Sequence, residues 1–463
     1  MKPPKLTLAA AAALLLTACA TSPEALRSDV QRLTQDKPGV VQPGTRDTVD
    51  QLLAARPLQA DTAVRIALLN NPSLQANMAA LSISDAERVQ AASLPNPHLA
   101  LGRLREGQTV EIERMLSFNV INLITLPWRA RYAGQRVELA KLQAAQEVIR
   151  LAGDTRKAWI NAVAAQQTAQ YMRSAKEAAE AGGELARRMA RVGNWSRLQQ
   201  AREQATLADV AAQLARAEQA ALAEREKLTR LMGLWGAQAD YLLPERLPEL
   251  PKALAERRDV EAQALRERVD VRAARDETRY VADSLGYDRT VGAIDALTLG
   301  LVRNTEFDNE AGTRSTKRGV EVEFPLPLFD WGARGARADA TYMQSVARVR
   351  DVAVKARSEA REAWHAWRTS YDLAKHYRDE IVPLRKFIND ETVLRYNGML
   401  SSVWELLSET RNHISAVNSA ITAQRDFWIA DTDLNTALTG TSPGALAAMS
   451  GGGSASPAQA QGH

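Results

Sequence analysis

The sequence predicts a mainly α-helical chain made by tandem duplication. Each copy pairs two alternating strands with a long helical hairpin, and the strands make a small contribution to a membrane β-barrel. Three observations carry this fold class. Matching segments recur in the same order at offsets of 197 to 205 residues. Each copy contains short apolar segments of period two. Between them lie stretches rich in Ala, Leu, Gln, Glu and Arg, one of which has no proline from Arg129 to Leu243.

The N-terminus comes first. Lys2 and Lys5 precede an apolar run from Leu6 to Leu16 that is too short to span a bilayer, so residues 1–18 read as a secretory signal. Leu16, Thr17, Ala18 and Cys19 resemble the bacterial lipoprotein cleavage box, in which the cysteine becomes the acylated first residue. Residues 19–57 then form an acylated N-terminal segment. Ala20 stands where lipoproteins kept in the inner membrane carry Asp, which favours the outer membrane. Cys19 is the only cysteine, so no internal disulfide or thiolate cluster can form. The formal charge of +4 falls to +2 once Lys2 and Lys5 are removed, and this gives no reason to expect nucleic acid.

The copies align from the letters. ALLNNPSLQA, with Leu68, Leu74 and Ala76, matches ALRERVDVRA, with Leu265, Val271 and Ala273. Leu99–Gly102 matches Leu297–Gly300, and Trp128 and Arg131 match Trp331 and Arg334. Gly193 and Ser196 match Gly398 and Ser401. Small drifts in offset fit loop changes after an old duplication. The first repeat is 58–242 and the second 243–440, joined by LPERLPELP from Leu243 to Pro251. The Gly- and Ser-rich tail, 441–463, is expected to be disordered.

Strand hairpins are expected near 97–123 and 291–328. In the first, Val110, Ile112, Leu116, Phe118 and Val120 share one face, with Glu111, Glu113, Ser117 and Asn119 on the other. In the second, Val320, Val322, Phe324 and Leu326 oppose Glu321 and Glu323. An apolar face opposite a charged one, over roughly ten residues, marks a barrel strand with lipid outside and water inside. Four strands cannot enclose water, and an open edge in lipid leaves backbone groups unpaired, so closure requires other copies of the chain. Glu111, Glu113, Glu321 and Glu323 would then line a cation-favouring lumen. Trp128 and Trp331, beside prolines that end strand pairing, suit a membrane-interface girdle.

Helical hairpins are expected over 129–242 and 333–440. The 60-odd residues before the first tip would reach on the order of 90 Å at 1.5 Å each, far more than a globular domain of this size requires. The glycines at Val192–Gly193 and Asn397–Gly398 mark the tips, where a helix stops and turns. Pro383 should kink or break its helix.

Together NNPSLQA, LPLFDWG, RVGNWS and RDFWIADTDLNTALTG resemble the TolC-type outer-membrane factor family, from about Leu58 to Gly440. The resemblance implies a homotrimer whose twelve-stranded barrel continues into a periplasmic α-helical tunnel. It implies an outer-membrane channel that receives cargo from an inner-membrane pump through a periplasmic adaptor, with no catalysis and no cofactor. By the same resemblance, Val192, Gly193, Asn397 and Gly398 contact the adaptor. Trp404 and Leu407 stand where the family's narrowest ring carries aspartates, with Glu405 and Glu409 nearby on another phase of the helix. Such a tip would close by dewetting rather than by an acidic ring. The closing run is most similar to members serving copper or other heavy-metal exporters, which suggests metal ions as cargo. The alternative is a periplasmic adaptor lipoprotein, which would carry one helical hairpin and a set of sandwich strands.

Enzyme chemistry finds no support. His98, His365, His376, His413 and His463 lack ligand spacing, and there is no phosphate loop or nucleophile elbow.

Overall fold

A computed structural model describes residues 21–44, 47–107, 109–290, 297–308, 310–324 and 331–443. The signal segment, Cys19 and the tail beyond 443 lie outside the described residues, and so does Leu326. The chain divides into two compact units. The first comprises the segment up to Val30, Asn77–Ala144 and Asp270–Ala353; the second comprises Gln31–Ala76, Ala145–Val269 and the chain from Val354 onward.

The first unit holds one antiparallel sheet in the order β1-β2-β3-β4. Strands β1 (His98–Glu106) and β2 (Thr109–Asn119) come from the first repeat, β3 (Thr298–Asp308) and β4 (Thr313–Glu323) from the second. Strand β2 pairs with β3 along its whole length, from Thr109↔Asp308 to Asn119↔Thr298, so the two hairpins share one ladder. Gly107 and Gly312 take left-handed φ angles of 58° and 66° in the hairpin connections, where a side chain would be strained. Tyr132 packs edge-on against Tyr280 and Tyr287, and its hydroxyl donates to the Asp283 carbonyl at 2.9 Å. Arg131 meets the Asp283 carboxylate at 3.3 Å.

Short helices lead into each repeat. In the first, α1 (Pro23–Thr34) and α2 (Val49–Ala54) precede α3 (Ala60–Asn70) and α4 (Pro72–Ala91). Asn71 breaks α3 from α4: the residue before a proline is driven to extended backbone, here φ −66°, ψ 120°. Its side chain accepts from the Leu74 amide at 3.0 Å, capping α4. After β2 come α5 (Val120–Ile124), α6 (Leu126–Arg191) and α7 (Arg197–Met232). The second repeat runs α8 (Val260–Glu267), α9 (Val269–Thr290), the β3-β4 hairpin, α10 (Trp331–His376), α11 (Val382–Asn397) and α12 (Val403–Thr439).

Pro383 acts just before its own position. The preceding turn, Tyr377–Ile381, is π-helical, and the Val382 amide reaches back to the Tyr377 carbonyl. A ring without an N–H cannot continue the regular ladder, and one wide turn absorbs the mismatch.

The second unit has two main apolar cores. In one, Trp159 and Val163 of α6 pack with Ile66 of α3 and with Leu228 and Met232 of α7. The Trp159 indole donates to the Leu58 carbonyl at 2.8 Å. In the other, Trp367 and Tyr371 of α10 pack with Phe427, Leu434 and Leu438 of α12. Ala360, Ala363, Ala374 and Ala437 are buried there, small side chains that let helices approach closely. Burial pushes the Asp431 and Asp433 carboxyls above their ordinary range. The Trp367 indole donates to Asp431 at 3.0 Å, and Lys157 stands 3.1 Å from Asp433, which offsets part of that cost.

Candidate functional site

Two places gather the residues singled out in the sequence: the sheet of the first unit and the helical tips of the second.

On the sheet, Glu111 and Glu113 of β2 and Glu321 and Glu323 of β4 fall on one face by strand parity and register. The Glu113 carboxylate lies over Gly102 of β1, 2.8 Å from where a Cβ would project there. Asn304 donates to Glu111 at 3.0 Å. Glu106, Glu306 and Asp308 join this face, extending the acidic surface to strands whose sequence reading rested on their leucines alone. Lys317, paired with Glu306 at 3.4 Å, is the one lysine or arginine on it among the described residues.

The opposite face is apolar at the helix end of the strands, with Leu99, Leu116, Leu301 and Val320 aligned in one row and all exposed. Leu123, Ile124 and Trp128 are exposed just beyond β2. The expected contrast of an apolar face with a charged one needs correction, because arginines occupy the apolar face nearer the hairpin ends. Apolar and acidic residues alternate along these strands, and the arginines share the apolar phase. Trp331 opens α10; its side chain lies outside the described residues.

At the first tip Gly193 has φ 80°, and the Gly193 and Asn194 amides bond to the carbonyls of Ala190 and Met189. This is a Schellman cap with glycine at its left-handed position. Ser196 then caps α7, with Gln199 reaching back to complete a capping box. At the second tip the same pattern recurs one residue late. The Met399 and Leu400 amides bond to Tyr396 and Arg395, and Met399, not Gly398, holds the left-handed conformation at φ 60°. Gly398 sits at φ −81°, and Ser402, not Ser401, caps α12. The structural equivalents are therefore Gly193 with Met399 and Ser196 with Ser402. Val192 is 70% exposed, Leu400 82% and Met399 93%, so both turns present apolar side chains to solvent.

The residues expected at the constriction are engaged within the chain. Trp404 is flanked by the guanidinium groups of Arg202 and Arg411, 5.8 Å and 5.2 Å from its ring. Leu407 packs over Gly182 of α6. Glu405 accepts from the Ser401 hydroxyl at 2.6 Å, and Glu409 accepts from Asn412 at 3.1 Å with Arg385 at 3.6 Å. Arg411 was missed in the sequence. It donates to Thr206 of α7 at 2.9 Å and stands 3.6 Å from the buried Glu203. No spacing rule links positions 203 and 411, and only the fold brings them together. Among the described residues no group of three or more His, Cys, Asp or Glu is placed to hold a metal ion, and no helix is long and apolar enough to cross a membrane.

The same architecture occurs in solved outer-membrane channels. The chain is similar to the Campylobacter jejuni CmeC outer membrane channel, with a TM-score of 0.68 and 14% identity over 87% of this chain and 90% of that one. It is similar to the Vibrio cholerae outer membrane protein VceC, with a TM-score of 0.65 and 17% identity over 85% and 99%. It is also similar to CusC, whose structures concern transmembrane channel formation, with a TM-score of 0.65 and 15% identity over 82% and 92%. No protein-family model matches the chain, and no curated protein matches it in sequence. The chain thus has the outer-membrane channel fold.

Proposed function

We propose that the protein is the outer-membrane channel of a tripartite export system. It is a homotrimer, anchored by an acylated Cys19, whose three sheets close into a twelve-stranded barrel. Cargo arrives from an inner-membrane pump through a periplasmic adaptor that docks on the turns at Val192–Gly193 and Asn397–Gly398–Met399. The observation that carries this reading is the single sheet made of one hairpin from each repeat, acidic on one face and apolar at the helix end of the other. Among the described residues both outer strands, β1 and β4, have an unpaired edge, and in lipid such edges must pair with further copies. The adaptor alternative is disfavoured by the two helical hairpins and the shared four-stranded sheet.

The test is conductance across a planar lipid bilayer by the purified mature protein, beside a variant with Glu111, Glu113, Glu321 and Glu323 changed to Gln. Discrete channels that prefer cations, with the preference lost in the variant, support a lumen lined by these carboxylates. Channels of unchanged selectivity would place the glutamates elsewhere. A deletion strain without a redundant channel tests the cargo: raised sensitivity to metal ions, rather than to dyes or antibiotics, would identify metals.

A further inference from the structure

The apolar face of the sheet carries six arginines and no carboxylate: Arg103, Arg105, Arg114, Arg303, Arg314 and Arg318. Three of them fall in a single cross-strand row. Arg114 of β2 is directly opposite Arg303 of β3, which is directly opposite Arg318 of β4, and Leu101 completes the row on β1. Like charges facing one another across a ladder destabilise it. Nothing on this face relieves them, since among the described residues none of the three guanidinium groups forms an ion pair or a hydrogen bond. Other arginines of the face do have partners: Arg314 lies over the Phe307 ring at 5.3 Å, and Arg105 donates to the Gly107 carbonyl at 3.2 Å.

The row borders the apolar stripe. One step toward the helices lies Leu99–Leu116–Leu301–Val320, and one further step brings Phe118–Leu299–Val322. On the hairpin side the face turns polar, with Arg103, Thr305 and Thr316 around Ile112. Adjacent strands are about 4.8 Å apart, so the three guanidinium groups fit one compact anion. A phosphate accepts paired N–H donors from arginine in a fork geometry, which makes it the natural counter-ion.

We propose that Arg114, Arg303 and Arg318 bind the phosphorylated headgroup of an outer-leaflet lipid whose acyl chains lie on the Leu116 and Phe118 rows. The proposal rests on the reading that this sheet is a barrel wall with its apolar face in lipid. A lipid, rather than free phosphate, is the occupant because the arginine row and the leucine rows are contiguous: one ligand satisfies both the charge and the exposed apolar surface. The bound lipid would also remove the mutual repulsion of the row and fix the depth at which the barrel sits.

The test uses the purified full mature protein and native mass spectrometry. Three probes are added: a bisphosphorylated acylated disaccharide (lipid A), its dephosphorylated counterpart, and inorganic phosphate. Each is titrated against the wild type and against R114Q/R303Q/R318Q, and every preparation is assayed for bilayer conductance. The bisphosphorylated lipid should bind the wild type about tenfold more tightly than the triple variant, with the dephosphorylated lipid indifferent to the change. R303Q alone, the centre of the row, should lose about threefold and serves if the triple variant does not assemble. Equal lipid binding by wild type and R303Q overturns the proposal. So does inorganic phosphate that displaces the lipid at equal concentration, which would mark a free-anion site. Conducting wild-type channels without arginine-dependent lipid binding would refute this inference alone, whereas absence of conductance from the wild type and from Trp404→Ala alike would remove the barrel reading with it.

Discussion

Asn70 closes over Gly233. Its side-chain amide donates to the Gly233 carbonyl at 2.7 Å, and its backbone carbonyl stands 2.6 Å from the point where a Cβ on Gly233 would project. Gly233 ends α7 in the left-handed conformation, φ 66°, with its amide bonded to the Arg230 carbonyl. A side chain there meets two separate obstacles, the strained φ and a backbone atom that cannot rotate away. Gly233→Ala should cost about 2–3 kcal/mol or prevent assembly. Asn70→Ala, which only leaves helix-end carbonyls unpaired, should cost about 1–2 kcal/mol. Heat-inactivation rates of the purified protein would rank the two, and a Gly233→Ala protein as durable as the wild type would contradict the geometry.

The same position at the second tip is filled by methionine. Met399 holds φ 60° in a Schellman cap where Gly193 holds φ 80°, and a non-glycine residue in that conformation costs about 1–2 kcal/mol. The strain persists while the side chain stands 93% exposed, which points to a use in contact. Met399→Gly should raise resistance to unfolding by up to about 1 kcal/mol and, on the proposed function, weaken capture of a periplasmic adaptor. A binding assay with the adaptor of the same export system measures the second effect. Unchanged capture would remove Met399 from the docking surface.

How far the fold was legible in the letters follows from what each signal depends on. Strand parity depends only on neighbours in sequence, so Val110 to Phe118 and Val320 to Phe324 disclosed both the strands and their acidic face. Pro383 disclosed the break before α11, because the missing N–H acts locally. The Gly398 match was off by one, since a cap is defined by which amide reaches which carbonyl, and a letter match cannot see that Met399 takes the strained place. The arginine row was written in the strands as well. It emerges only when β2 is registered against β3, a pairing between repeats that no local rule supplies.

The N-terminal segment should be pH-sensitive. Asp85 of α4 accepts from the Thr21 amide at 2.9 Å and from Arg88 at 2.7 Å, two residues beyond the proposed lipid anchor. Burial alone would raise its pKa, but the bonds from Arg88 and Thr21 outweigh it and hold the carboxyl below its ordinary value. A depressed folded pKa means that the unfolded segment binds the proton more readily. The stabilisation is therefore complete above the unfolded value of about 3.9 and is lost as pH falls through the lower folded one. The protection of the Thr21 amide from hydrogen exchange, taken relative to its intrinsic rate, should be constant above about pH 4 and fall at lower pH. Asp85→Asn should remove that protection at every pH, and a variant with the wild-type profile would exclude the contact.

At the tip, Arg411 ties α12 to α7 through Glu203 and Thr206 while stacking on Trp404. Removing the guanidinium does two things that can be separated. It frees α12 from α7, and it strands a Glu203 carboxylate that is only 4% exposed. Arg411→Ala should therefore destabilise by about 2 kcal/mol. Adding Glu203→Gln should recover much of this, because the stranded charge is gone, while Glu203→Gln alone leaves Arg411 to the solvent on its exposed side. If the contact between α7 and α12 holds the tip shut, bilayer conductance should rise in Arg411→Ala and stay raised in the double variant, since the tie is absent from both. Conductance that falls back with stability would mean that the single variant merely loosened the fold. Trp404→Ala, which keeps the ion pair and loses only ring contacts worth about 0.5–1 kcal/mol each, isolates the remaining question: increased conductance with no more than that loss of stability would identify the indole as the plug.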